Sequence, residues 1–186
     1  MKMSLLSLLF MLAASINSTS HADAQAPAPE RRANGDEHVH VVNTFRFEVA
    51  APMASVAPLF GPEAERSWAG PHWDPSFFYP SPGRDVEGAV FRVKRGQLDS
   101  LWVNTRFDVP GGRMQYVYVV PDHVATVIDV RVTALGASRT SVEVTYARTA
   151  LNASANDEVR QLGVNDRDSG PQWQHGVEHA LGLAAR

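Results

Sequence analysis

The sequence predicts an α+β fold in which a curved antiparallel sheet is closed by a helical C-terminus. Three observations carry the prediction. Residues alternate between apolar and polar from His40 to Val49, further alternating segments separated by turn signals run from Ala89 to Ala150, and Trp173, Val177, Ala180, Leu181 and Ala184 form an apolar stripe at helical spacing. A sheet covered on one face by such a helix encloses a space, and an enclosed apolar space implies a ligand.

The N-terminus reads as a targeting segment. Lys2 supplies a short positive start, Leu5 to Ala14 an apolar stretch, and Ala22-Asp23-Ala24 the small-x-small pattern of a cleavage site. Cleavage after Ala24 is expected, which makes residues 1–24 a signal peptide and the mature chain periplasmic or secreted. The apolar stretch is about half the roughly 20 residues that a spanning helix needs, so a retained anchor is the weaker reading and no stable membrane span is expected after cleavage. The chain has no cysteine, so it carries neither a lipid-attachment cysteine nor a disulfide. Residues 25–38, rich in Pro, Ala and charge, predict a disordered linker. Residues 39–186 suit a single domain with a real core.

A net charge of −3 and the absence of a basic patch with interleaved aromatics argue against nucleic acid as a partner.

In the first strand Val41, Phe45, Phe47 and Val49 share one parity while His40, Thr44, Arg46 and Glu48 share the other, as in a half-buried antiparallel strand. Pro52 opens a short helix with Val56, Leu59 and Phe60 inward. Gly61-Pro62 breaks it before a second helical turn from Glu63 to Trp68. Strands follow at Ala89 to Arg95, Leu101 to Phe107, Met114 to Val120, Val124 to Ala134 and Thr140 to Ala150. A turn centred on Ala137 sets the last two in register, with Ile128, Val130 and Val132 opposite Tyr146, Val144 and Val142. The same register makes Arg131 and Glu143 a solvent-side pair. Both parities are plausible for the strand with Trp102, Asn104 and Arg106. Tyr116 and Tyr118 are assigned to the concave face because Met114 and Val120 share their parity. The C-terminal segment begins at Asn152 as N-cap, and Ser169-Gly170-Pro171 predicts two helical pieces or one kinked helix.

The order and spacing of Pro62-Glu63-Ala64-Glu65-Arg66-Ser67-Trp68, Trp73-Asp74-Pro75, Gly88-Ala89-Val90-Phe91, Trp102-Val103, Tyr116-Val117 and Thr149-Ala150-Leu151 resemble bacterial members of the START-related helix-grip superfamily, often abbreviated SRPBCC. The polyketide cyclase-like and pollen-allergen-like branches belong to it. The likeness runs from about Val39 to Leu181. It implies a curved seven-stranded antiparallel sheet around a long C-terminal helix, with two short helices after the first strand and an apolar cavity between sheet and helix. Relatives bind lipids, sterols, polyketides or plant metabolites, and some catalyse cyclisation or dehydration. No shared catalytic set carries over, and Pro71-His72 and Gly170-Pro171 depart from the usual pattern.

The expected partner is therefore a small hydrophobic or amphipathic molecule, lipid- or polyketide-like, with no cofactor. Trp68, Trp73, Trp102, Arg106, Tyr116, Tyr118, Tyr146, Trp173 and Val177 are the candidate ligand contacts. Glu65 and His72, beside aromatic walls, are weak candidates for proton transfer in an alternative cyclase- or dehydratase-like enzyme, and a structural envelope module is a further alternative. A cavity of about 300 Å³ or more would favour binding, and a smaller one with Glu65 and His72 turned inward would favour catalysis. His175-Gly176-Val177-Glu178-His179 matches an inverted zinc-protease string. At about 100° per residue its His and Glu positions fall away from the apolar stripe, and no acid follows, so no metal site is assigned.

Overall fold

The computed structural model describes residues 38–95 and 98–183. The expected targeting segment and all of the expected linker except His38 lie outside the described residues.

A seven-stranded antiparallel sheet forms the body, with strands β1 (His40–Val49), β2 (Ser76–Tyr79), β3 (Val90–Arg95), β4 (Leu98–Asp108), β5 (Arg113–Val120), β6 (Val124–Gly136) and β7 (Arg139–Ala150). The spatial order is β1-β7-β6-β5-β4-β3-β2, so consecutive strands from β2 to β7 form a meander and β1 joins beside the last. The expected pairings of Ile128, Val130 and Val132 with Tyr146, Val144 and Val142 are all present, and Phe45 and Phe47 of β1 extend the same rows opposite Val144 and Val142. Each of these side chains is buried, because a sheet with one covered face must turn one whole parity inward.

Arg131 and Glu143 are opposite each other in the register. The Glu143 carboxylate nevertheless turns to the other neighbour, accepting from Arg46 Nε of β1 at 2.5 Å. Glu143 lies between two arginines in register, and Arg46 takes it.

Between β1 and β2 the chain folds into a short helix α1 (Met53–Val56) and 3-10 turns at Ala57–Leu59 and Ala64–Ser67. After β7 a 3-10 turn (Ala153–Ala155), capped by the Asn152 side chain, leads into α2 (Asn156–Arg167), and Ser169 leads into α3 (Gly170–Ala180). The helical C-terminus is thus two pieces, divided where Pro171 in the first turn of α3 can begin a helix but not continue one. Helix α2 lies against β1 and β7, and α3 against β1. Val159 of α2 and Val177 of α3 are fully buried; each contributes roughly 1.5 to 3 kcal/mol by leaving water. Among the described residues, no helix is long and apolar enough to cross a membrane.

Under α2 the sheet carries a buried ion pair. Arg148 donates from Nε and Nη2 to the two carboxylate oxygens of Asp166, both at 2.7 Å, and from Nη1 to the Tyr118 hydroxyl at 2.5 Å and Thr126 Oγ1 at 3.2 Å.

Candidate functional site

A cavity of about 180 Å³ lies where the 3-10 turns, the concave face of the sheet and α3 meet. All four tryptophans of the chain, Trp68, Trp73, Trp102 and Trp173, wall it. Tyr116, Ile128 and Tyr146 line it from the sheet, Glu65 and Ala69 from the turn segment, and Gln172 from α3.

The turn that carries Glu65 is fixed from both sides. Asp85 caps its N-terminus, with Oδ1 accepting from Glu63 N at 2.6 Å and Oδ2 from Ala64 N at 3.1 Å. A Cβ at position 61 would fall 2.3 Å from Asp85 Cγ, so only glycine lets this carboxylate approach. Arg66 points outward and donates to Glu63, Asp74 and the Pro75 carbonyl, fastening the next loop to the turn.

The tryptophan N–H groups are largely used within the protein. Trp68 Nε1 donates to the Leu59 carbonyl and Trp73 Nε1 to the Pro62 carbonyl, each at 2.8 Å. Trp102 Nε1 donates to Ser100 Oγ at 2.7 Å, and that hydroxyl donates to the Val93 carbonyl at 2.8 Å. With their donors spent, these three side chains offer the cavity their rings. The rings meet edge to face, Trp73 with Trp102 at 5.2 Å between centroids and Trp68 with Trp173 at 5.1 Å, the arrangement that aromatic quadrupoles favour.

Among the described residues, Glu65 is the one ionisable group of ordinarily low pKa on the cavity wall, and it is buried. Burial pushes its carboxyl up to about 8, against a lowering hydrogen bond with Tyr116 and with a smaller upward push from Asp85. The geometry agrees with a neutral acid. The Tyr116 hydroxyl lies 2.8 Å from Glu65 Oε1 and also contacts the Phe60 carbonyl oxygen. One phenolic proton cannot serve two acceptors, and a carbonyl has none to give. A protonated Glu65 completes a chain in which it donates to Tyr116 and Tyr116 donates to Phe60. Among the described residues, neither Glu65 Oε2 nor the Tyr146 hydroxyl has a protein partner. Burial raises the Tyr146 phenol well above its ordinary value, more than nearby Arg148 lowers it, so it remains a neutral hydroxyl.

Of the residues singled out in the sequence, Glu65, Trp68, Trp73, Trp102, Tyr116, Tyr146 and Trp173 come together around this cavity. Four others do not. His72 is exposed: Gly70, at φ 92°, turns the loop so that Trp73 N bonds back to the Gly70 carbonyl, and the indole goes in while its neighbour goes out. Arg106 is exposed because a bulge at Thr105 shifts the register between Asn104 and Arg106, putting Phe107 opposite Met114. Tyr118 faces inward but stacks on the far side of Trp102 at 4.2 Å and serves Arg148. Val177 is buried in the core beside the cavity. On α3, His175 and His179 are exposed, and Glu178 accepts from Gln174 Nε2 at 2.9 Å.

Sequence reasoning passed over Gln172 and the Arg148–Asp166 pair. The signal for Arg148 was present, since it shares the inward parity of Val144, Tyr146 and Ala150.

A seven-stranded antiparallel sheet with helices packed on one face and a cavity between them is a helix-grip fold. No protein-family model matches the chain, and no curated protein matches it. Solved structures do. An uncharacterised protein from Rhizobium leguminosarum is 17% identical with a TM-score of 0.55, over 77% of this chain and 98% of that one. Norcoclaurine synthase from Thalictrum flavum is 10% identical with a TM-score of 0.57, over 79% of this chain and 89% of that one. A second structure of that enzyme, in complex with dopamine and hydroxybenzaldehyde, is 11% identical with a TM-score of 0.56, over 80% of this chain and 91% of that one. At these identities the likeness is one of fold.

Proposed function

We propose that this chain is an exported protein that binds one small, single-ring or comparably compact molecule in the tryptophan-walled cavity. The observation that carries the reading is the convergence of every tryptophan in the chain on one space that also holds an unspent carboxyl oxygen. The cavity is smaller than the roughly 300 Å³ expected of a carrier, but only Glu65 and not His72 turns inward as the catalytic expectation required, so its size narrows the occupant without favouring an enzyme. At about 180 Å³ it is close to the roughly 150 Å³ cavity that accepts a benzene, and well under the space a lipid or polyketide would need. The solved relative that holds dopamine and hydroxybenzaldehyde supports ligands of this scale on this fold. Export rests on the Lys2 to Ala24 pattern, and fractionation of cells making the full chain tests it.

Because all four indoles face the cavity, intrinsic fluorescence is a direct reporter. Titration with phenol, benzyl alcohol and benzaldehyde should quench or shift the emission saturably. A flat response to every ring-sized probe, with a long-chain fatty acid bound instead, would overturn the size assignment.

A second reading follows from Glu65. A carboxyl raised to about 8 beside an unpartnered tyrosine hydroxyl is poised to exchange protons with a ligand near neutral pH, as an acid–base enzyme of the cyclase or dehydratase kind requires. Glu65→Gln separates the two: turnover lost with binding retained assigns catalysis, whereas binding retained with no turnover by the parent protein assigns carriage.

A further inference from the structure

We propose that the cavity selects a ligand bearing an organic ammonium group, with Glu65 as its counter-charge and the indole rings as the surrounding cage. This deepens the binding reading above and rests on it.

The argument starts from what the wall can offer. Trp68, Trp73 and Trp102 have given their N–H groups to protein acceptors, and Tyr116 is committed between Glu65 and Phe60. What remains for a ligand among the described residues is the electron-rich faces of the rings, the single N–H of Trp173, Glu65 Oε2, the Tyr146 hydroxyl and the Gln172 amide. Among the described residues that line the cavity there is no Lys, Arg or His. The nearby guanidinium of Arg148, 4.5 Å above the Tyr146 ring, is neutralised by its two bonds to Asp166. A wall of ring faces and one carboxyl favours a cation, most strongly where the rings are tryptophan, and disfavours an anion.

The groups facing Glu65 agree. Tyr116 and Tyr146 of the sheet are neutral phenols, Asp85 beside the turn adds negative potential, and α3 presents Gln172 and Trp173. An arriving ammonium supplies the charge that makes the ionised carboxylate favourable. The Glu65 proton leaves to solvent, Tyr116 turns its own proton to Glu65 Oε1, and Oε2 accepts from the ammonium. Net charge in the cavity stays at zero.

The test compares benzylamine, benzyl alcohol and benzoate by indole fluorescence on the full domain, from about pH 6 up to about 8, with the amine protonated throughout. Benzylamine should bind at least about tenfold tighter than benzyl alcohol near the upper end, and benzoate should not compete. Its affinity should rise by up to about tenfold per pH unit below the Glu65 midpoint, with close to one proton released per ligand in calorimetry. The alcohol should show neither effect. Glu65→Gln should abolish the preference for the amine over the alcohol, the rise of amine affinity with pH and the proton release.

If the alcohol binds as well as the amine, the charge assignment falls and the binding reading stands. If no member of the series binds, both fall. If Glu65→Gln fails to fold, proton release by the parent protein decides: amine binding without it overturns the role of Glu65.

Discussion

Arg148 grips Asp166 through two parallel hydrogen bonds of 2.7 Å, joining the inner face of β7 to α2 across a buried interface. A bidentate pair whose remaining donor reaches Tyr118 and Thr126 leaves little of the guanidinium unsatisfied. Removing one member leaves a buried charge alone. Asp166→Ala should therefore cost about 3 to 5 kcal/mol in denaturant unfolding, and the double change Arg148→Met with Asp166→Leu should recover most of it.

The pH dependence of stability carries the signature of Glu65. Its carboxyl moves from an ordinary 4.5 to about 8 on folding, so the native state holds a proton that the unfolded chain releases between those values. The stabilisation is full below 4.5 and lost as pH rises through about 8, at a slope approaching about 1.4 kcal/mol per pH unit. Unfolding midpoints from about pH 5 to 8 should fall in the parent protein, and Glu65→Gln should flatten this component.

Tyr116→Phe removes the hydroxyl that lies between Glu65 and the Phe60 carbonyl. Two buried groups lose a partner, which should cost about 1 to 3 kcal/mol. When Glu65 ionises, the Tyr116 hydroxyl donates to the carboxylate and holds its pKa down, so without that hydroxyl the fall in stability should also extend to higher pH than in the parent protein. Repeating the unfolding series on this variant checks both.

Gly176 of α3 lies close against Trp68, where a Cβ would fall 2.9 Å from the Trp68 carbonyl oxygen and 3.2 Å from its ring. The carbonyl belongs to backbone and cannot swing away. Gly176→Ala should move α3 outward, part Trp68 from Trp173, and cost about 1 to 3 kcal/mol. A red-shifted indole emission and weaker quenching by benzyl alcohol would show the displacement.

Much of this was legible in the alternation of single residues. Ile128, Val130 and Val132 find Tyr146, Val144 and Val142 because a period of two and one short turn leave no other register. Strand β2 was not legible: Ser76–Tyr79 is four residues long, its Phe-Phe-Tyr run has no alternation, and a register shift between Phe77 and Tyr79 removes the rest of the pattern. Arg106 misled for a related reason, since one extra residue at Thr105 reverses every side chain beyond it, and nothing in Asn-Thr-Arg marks the bulge. For the site, Glu65 and the tryptophans were legible as a cluster. The inward aim of Trp73 and outward aim of His72 depend on a single glycine torsion at position 70.

The residues around the cavity are drawn from nearly the whole length of the domain, from Glu65 in the early turns to Trp173 in the last helix. Strand β1 must likewise wait for β7, whose residues pair with it across a separation of about a hundred positions. A ribosome delivers these parts in order, so a growing chain holds an unmatched apolar ribbon until Arg139–Ala150 emerges, and the cavity has no closed wall before α3 arrives.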